Sequence, residues 1–425
     1  MIQIDVFRNL IKEGQEVIEG VELLKRRFDF EEHGRYVLVG IRQAGKSYLL
    51  YQRARMLMEE GHELSEIVYI NFDDERLLGM TADDFDLILQ AHATMYNCRP
   101  VFFFDEIQNV DGWEHFARRL ANQKYMVYIT GSNAKILSRD IATTLGARYL
   151  DRMVMPYSFS EYLEAIGVEL SDGWMWGKVR LEVQRCMAEY IKWGGFPELL
   201  LFKNKRHWLG SLYDKILLGD VVGRNGIKNE QALRLAVKRL AENVRQPIAY
   251  NRLANMVKST GVSTNTASIM EYIKYLKESC LMFSLDNYAS KFVERETTKK
   301  HYFMDNGLLS IFLIDGNTSL FENLCAITLY RQYGTEQDEP GVYYYHRGVE
   351  VDFYVPSECM AVQASYSIAD DETRRRETSA LVAFAKVEHL NRALIVTCDQ
   401  EETIAMPNGL TIEVVPVWKW VLGVK

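Results

Sequence analysis

The sequence is poor in proline, with 8 residues in 425, and it holds no low-complexity tract and no internal repeat. Those absences exclude a solenoid array and a proline-rich spacer protein. Its six cysteines, Cys98, Cys186, Cys280, Cys325, Cys359 and Cys398, lie far apart, without a Cys-x-x-Cys pair or a histidine at zinc-ligand spacing. Reduced thiols fit that distribution better than a disulfide framework or a metal site. No apolar run approaches the length of a membrane-spanning helix, and the first residues, Asp5 among them, form no leader-like segment. A cytoplasmic protein without a membrane partner is the expectation. Positive charge is not in excess either: 50 Lys and Arg stand against 58 Asp and Glu, a net charge of −8. A protein basic overall is excluded, whereas a local basic surface for nucleic acid is not. What remains is an ordinary folded composition, 48% hydrophobic and 25% charged, at a length that favours two or three domains.

Against that background one motif stands out. Gly40-Ile41-Arg42-Gln43-Ala44-Gly45-Lys46-Ser47 fits the phosphate-binding pattern G-x-x-x-x-G-K-[ST]. It follows the apolar strand candidate Tyr36–Val39 and precedes a helix-like stretch from Ser47 through Met58. Glycines at 40 and 45 permit torsions that turn successive N–H groups toward phosphate oxygens. Gln43, Ala44 and Tyr48 belong to the same expected cradle. Lys46 is placed to neutralise the terminal phosphates, and Ser47 to offer its hydroxyl to Mg²⁺. The reading is a nucleoside triphosphate site.

Two further strands support it. Val101-Phe102-Phe103-Phe104 is a buried-type run that ends in Asp105-Glu106. An adjacent Asp-Glu pair is by itself most often a solvated loop start. Downstream of a P-loop, it reads as a Walker B element, with Asp105 on Mg²⁺ and Glu106 acting on the attacking water. The strand Met126–Thr130 leads into Gly131-Ser132-Asn133, where Ser132 or Asn133 is expected to sense the γ-phosphate.

These motifs, continued by Phe104–Val110, Ile129–Ala134, Met155–Tyr162, Gly194–Glu198, Phe303–Leu309, Leu320–Asn323 and Gly348–Phe353, resemble a group of prokaryotic AAA-type ATPases. Members join the ATPase to a nuclease-like C-terminal domain of unknown function. The resemblance spans nearly the whole chain. It implies ATP and Mg²⁺ as cofactors, a homo-oligomer as a possible assembly, and Arg148 as an arginine finger or sensor. Pairing of Arg148 with Asp151 is the equal alternative. Ala147 departs from the glycine usual before this arginine.

The expected fold is α/β in three parts: a parallel-sheet AAA-type ATPase domain with a helical lid over residues 1–214, a winged-helix-like segment over 215–295, and a restriction-endonuclease-like domain over 296–425. In the middle part, Tyr250–Val257 and the stretch from Ala267 to Leu276 show helical spacing on either side of the Gly261 turn, with Ser263 or Thr264 as N-cap. Thr264, Asn265, Thr266, Ser268 and Lys274 would face a DNA groove, with Lys291, Arg295, Lys299 and Lys300 nearby as basic support. Packing against a protein partner is the alternative use, and Glu271 and Glu278 favour it. In the last part Asp352 and Glu322 match acidic positions of a nuclease-like site, but Gln363 and Ser365 stand where Glu and Lys are needed. A nuclease-like scaffold without nuclease chemistry is therefore expected; an ATP-gated nuclease and a non-hydrolysing switch are the alternatives.

Overall fold

A computed structural model of the protein describes residues 2–134, 139–336 and 339–424. The chain forms two compact units, residues 1–155 with 278–280, and residues 156–277 with 281–425.

In the first unit the strands are β1 (Tyr36–Val39), β2 (Ile67–Asn71), β3 (Val101–Asp105), β4 (Val127–Gly131) and β5 (Leu150–Met153). Helices α1 (Ile4–Gly20), α2 (Lys46–Glu59), α3 (Asp86–Met95), α4 (Trp113–Asn122) and α5 (Arg139–Leu145) complete it. The strands are all parallel, in the order β2-β3-β4-β1-β5. Near-continuous apolar runs are what a sheet covered on both faces demands, and Val37–Val39 and Phe102–Phe104 are almost wholly buried. The register aligns Val39 with Gly131, Phe104 with Ile129 and Asn71 with Asp105. The carboxyl ends of four strands thus open onto one edge, where ligands of parallel sheets bind.

The second unit begins with α6 (Phe159–Ala165), α7 (Lys178–Trp193) and α8 (Lys205–Lys215). Next come α9 (Glu230–Glu242), β6 (Ile248–Ala249), α10 (Tyr250–Lys258), α11 (Thr266–Glu278), β7 (Met282–Asn287), α12 (Phe292–Thr297) and β8 (Thr298–Phe303). The helices α13 (Asn306–Ser310) and α14 (Asn317–Tyr333) lead to the short pair β9 (Thr335–Glu336) and β10 (Glu339–Pro340). The chain then runs through β11 (Tyr343–His346), β12 (Glu350–Val355), β13 (Met360–Ala364), α15 (Asp371–Phe384), β14 (Arg392–Thr397), β15 (Glu402–Ala405), β16 (Thr411–Pro416) and α16 (Val417–Val421). A nine-stranded mixed sheet in the order β15-β16-β14-β13-β12-β11-β7-β8-β6 organises it.

The units part at 155/156 rather than at the expected 214/215, and α6 to α8 belong with the second. The expected 295/296 boundary falls between β7 and β8, which pair with each other and join β11 through Tyr343 opposite Asp286. Backbone pairing across that point makes the hairpin and the C-terminal strands one sheet. α11 is capped by neither Ser263 nor Thr264: Asn265 Oδ1 accepts the Ser268 N–H at 2.8 Å, because the helix starts one residue later than expected.

Buried polar side chains tie the second unit together. Asp305 accepts the Gly195 N–H at 2.8 Å and the Gly307 N–H at 2.7 Å. Gly194 has φ +75°, and a Cβ there would lie 1.9 Å from the Asp305 carboxylate, so only glycine fits. Asn306 donates to the Ile191 and Leu320 carbonyls and accepts from Asn323 Nδ2. Among the described residues, no helix is long and apolar enough to cross a membrane.

Candidate functional site

The P-loop turn is forced by its neighbours. A Cβ on Gly40 would lie 2.0 Å from the Val154 carbonyl oxygen, and Gly45 adopts φ +92° as the residue before α2. Gln43 also takes a positive φ, 61°, an uncommon conformation for a side-chain-bearing residue. Ala44 is buried, and its carbonyl accepts from Arg26 Nη1 at 3.0 Å. Arg26 Nη2 reaches the Met155 carbonyl at 3.0 Å, bracing the loop from outside the motif.

Lys46, 4% exposed, folds back into the loop. Its ammonium donates to the Gly40 and Ile41 carbonyls at 3.1 and 3.2 Å and lies 3.5 Å from Glu106 Oε1. The Ser47 hydroxyl is hydrogen-bonded to Asp105. Asp105 is buried, accepting from Tyr69 OH at 2.8 Å and from the Thr130 hydroxyl. Burial raises its carboxyl above the ordinary value, with the Glu106 charge adding to the effect.

Glu106 follows on the strand end with φ 53°. Its N–H donates to Thr130 Oγ1 at 3.0 Å, while its Oε2 accepts from Gln108 Nε2 at 2.5 Å and from the Ser132 N–H at 3.2 Å. Burial pushes this carboxyl up, but Lys46, Gln108 and Ser132 outweigh that and hold it below its usual value. Ser132 is fully buried and Asn133 nearly so, at the same strand edge. Gln108 Oε1 is buried without a protein partner. Tyr48 is 53% exposed at the start of α2, its ring 5.6 Å from that of Tyr51.

The sheet therefore brings together Gly40, Gln43–Ser47, Asp105, Glu106 and Ser132, and the group fits a polyphosphate with a divalent cation. A hydroxyl and a carboxylate already share one point, as two ligands of a hydrated cation would. An ammonium on weak carbonyl partners is free to exchange them for phosphate. Arg148 is placed differently: its Nη1 donates to Gly146 O at 3.0 Å and Leu145 O at 3.5 Å, on its own turn, and it pairs with neither Asp151 nor the loop. Arg26, Tyr69, Thr130 and Gln108 were not expected as part of this site. Only Gln108, two residues beyond the acidic pair, carried a sequence signal.

In the second unit, Asp352 and Glu322 do converge, on β12 and α14. Lys300 Nζ lies 3.4 Å from Asp352 Oδ1 and 3.5 Å from Glu322 Oε1. Gln363 accepts the Asp352 N–H and donates to Glu377 Oε2, each at 2.8 Å, so its amide is fully engaged. Ser365 Oγ donates to Ser367 O and supplies no cation. The expected basic support around α11 is largely absent. Lys300 is fully buried, Lys299 pairs with Asp286 at 2.6 Å, and Arg295 donates to the Ser290 and Tyr288 carbonyls. Of the residues expected at a groove, Thr266 and Lys274 are exposed and Ser268 is half-buried; Thr264 Oγ1 is buried and Asn265 is spent on the cap.

The family described as an AAA domain matches residues 32–163, and one described as a domain of unknown function, DUF8612, matches residues 184–318. An uncharacterized protein of Methanocaldococcus jannaschii is 28% identical over 428 aligned positions, covering 98% of this chain and 95% of that protein. An uncharacterized protein of Haemophilus influenzae is 32% identical over 277 positions, covering 64% of this chain and 67% of its own length. Among solved structures, a Walker-type ATPase of Pyrococcus abyssi aligns at a TM-score of 0.41 and 13% identity, covering 73% of this chain and 96% of that one.

Proposed function

From the premise that this chain belongs to the AAA-type P-loop ATPase family, we propose that it binds ATP with Mg²⁺ on Gly40–Ser47 and hydrolyses it. The observation that carries this reading is the meeting of Lys46 and Glu106, 3.5 Å apart, at the carboxyl edge of a parallel sheet. Loop N–H groups and the start of α2 receive the phosphates. Lys46 then leaves the Gly40 and Ile41 carbonyls for the terminal phosphate oxygens. Mg²⁺ beside Ser47 and Asp105 would neutralise charge on the phosphates during transfer.

Glu106 acts on the attacking water. As Lys46 moves to the phosphate, Glu106 loses the charge that held its proton affinity down and becomes a better base when it is needed. The unpartnered Gln108 Oε1 is an acceptor available to the same water, and Ser132 and Asn133 stand where the γ-phosphate would be sensed. Arg148, on its own turn, would serve a neighbouring subunit of a homo-oligomer rather than its own loop.

The second unit is read as the partner-binding part. The order of α9, β6, α10, α11 and the β7–β8 hairpin, with β6 paired to β8, supports the winged-helix reading. Helix α14 followed by β11, β12, β13, α15 and β14 fits a nuclease-like scaffold, and the engaged Gln363 argues against nuclease chemistry. Double-stranded DNA or a protein is the expected partner.

Phosphate release by the pure protein, with and without duplex DNA, tests the reading beside Lys46→Ala. Turnover in the native chain with ATP binding lost in the variant supports it, and stimulation by DNA selects the partner. Unchanged ATP affinity in Lys46→Ala would refute the site.

A further inference from the structure

Lys300, on β8, has no exposed surface, and its ammonium lies 3.1 Å from Glu350 Oε1, 3.4 Å from Asp352 Oδ1 and 3.5 Å from Glu322 Oε1. Glu350 and Asp352 come from β12, separated from β8 in the sheet by β11 and β7, and Glu322 comes from α14. The other oxygens of Glu322 and Asp352 are also engaged. Tyr302 OH donates to Glu322 Oε1 at 2.9 Å, Arg245 Nε to Glu322 Oε2 at 3.1 Å, and the Ala364 N–H to Asp352 Oδ2 at 3.0 Å. Glu322 is 2% exposed and burial raises its carboxyl to about 7, against the pull of Lys300, so without a cation at its centre the cluster would have to take up protons.

That cation is an ammonium. Its N···O distances are those of ion pairs, whereas carboxylates on Mg²⁺ or Ca²⁺ lie at about 2.0–2.6 Å. Two positive groups, Lys300 and Arg245, meet the two most buried acids, Glu322 and Asp352, as a single divalent ion would. Burial opposes the charge on Lys300, but Glu322, Asp352 and Glu350 outweigh it and keep it protonated. Beside the cluster opens a cavity of about 570 Å³, lined among others by Arg245, Glu322, Asp352, Gln363 and Arg376. Lys300 does not line it and has no exposed surface, so the acids stand between its ammonium and the cavity.

We propose that Lys300 is the resident cation of this carboxylate cluster. It occupies, from β8, the place a divalent ion holds between paired acids in metal-dependent phosphodiester hydrolysis. The cavity beside it therefore takes no divalent ion, and the acids fasten the β7–β8 hairpin to α14 and β12. The proposal rests on the nuclease-like reading of the C-terminal fold only for that comparison; the ion pairs hold whatever the fold is called.

Mn²⁺ binding by the full chain without nucleotide, read by electron paramagnetic resonance, provides the test in native protein, Asp352→Asn, Lys300→Met and Lys300→Met with Asp352→Asn. The native chain and Asp352→Asn are expected to respond identically to Mn²⁺. Lys300→Met is expected to gain a site binding at least about tenfold more tightly, lost again in the double variant. Native Mn²⁺ binding that Asp352→Asn weakens would overturn the proposal, and so would a folded Lys300→Met without a new site. If Lys300→Met fails to fold, the native and Asp352→Asn pair still decides. Plasmid incubated with Mn²⁺ checks the fold comparison separately: cleavage that depends on both Lys300 and Asp352 would make Lys300 a catalytic lysine and sink the proposal. ATP enters none of these readouts, so failure of the ATPase reading leaves the result distinct.

Discussion

Lys46 and Lys300 are both buried lysines beside glutamates, and they are held in opposite ways. Lys46 has two loop carbonyls and one carboxylate oxygen at 3.5 Å, partners that a phosphate would outbid. Around it the backbone takes positive φ at Gln43 and Gly45. Lys300 has three carboxylates within 3.5 Å, and the oxygens of Glu322 and Asp352 are further occupied by Tyr302, Arg245 and the Ala364 N–H. The first arrangement is built for exchange and the second for permanence. Burial beside an acid does not mark a catalytic lysine; the quality of its partners against those of an incoming ligand does.

The largest expected effect tests the first half of that contrast. Glu106→Gln should lower ATP turnover by about 10²–10⁴-fold while leaving ATP affinity and the thermal melt near native, measured by phosphate release and calorimetry. A variant that hydrolyses at the native rate would remove Glu106 from the chemistry. The second half predicts the reverse pattern. Lys300→Ala should cost about 3–5 kcal/mol in urea unfolding, because it leaves carboxylates buried without their cation. Its ATP affinity should stay within about twofold of native, since Lys300 is paired with acids of its own unit and shares no partner with Lys46. Loss of ATP binding by the folded variant would break the contrast.

Two smaller effects sharpen it. Gly194→Ala should destabilise by about 1–3 kcal/mol, from the left-handed backbone and the contact with Asp305, without altering ATP turnover. Asp305 adds a pH dependence. Burial raises its carboxyl from 3.8 to about 6, against the pull of the Gly195 and Gly307 N–H groups. Between those values the folded chain holds a proton that the unfolded chain has released. Stability from this group is complete below 3.8 and is lost as pH rises through about 6. Asp305→Asn, which does not titrate, should narrow the difference in melting temperature between about pH 4.5 and about pH 7, at a uniform cost in stability. An unchanged difference would show that Asp305 does not set it.

Much of the first unit was legible because its signals are local. The expected helix from Ser47 to Met58 is α2, Lys46–Glu59, and the run Val101–Phe104 is β3 extended to Asp105. The phosphate loop and the acidic pair need only adjacent residues to be recognised. Thr130, which holds both Asp105 and Glu106, sits on another strand and was invisible as a site residue. In the second unit the two helices on either side of Gly261 were legible from periodicity, but the role of the basic residues after them was not. Lys299 and Lys300 looked like a surface for phosphates because consecutive basic residues usually are solvated. The strand β8 instead buries Lys300 among acids.

The sequence by itself determined the loop Gly40–Ser47, the apolar strand leading to Asp105-Glu106, and the absence of Glu and Lys at 363 and 365. Each follows from torsional freedom, periodicity or residue chemistry within a few positions of the chain. Tertiary structure alone decided that Asp305 meets Gly195, that α6 to α8 join the second unit, and that Lys300 faces Glu322, Glu350 and Asp352. The last of those meetings depends on the strand order β12-β11-β7-β8, and the order is fixed by how whole faces pack rather than by any local pattern.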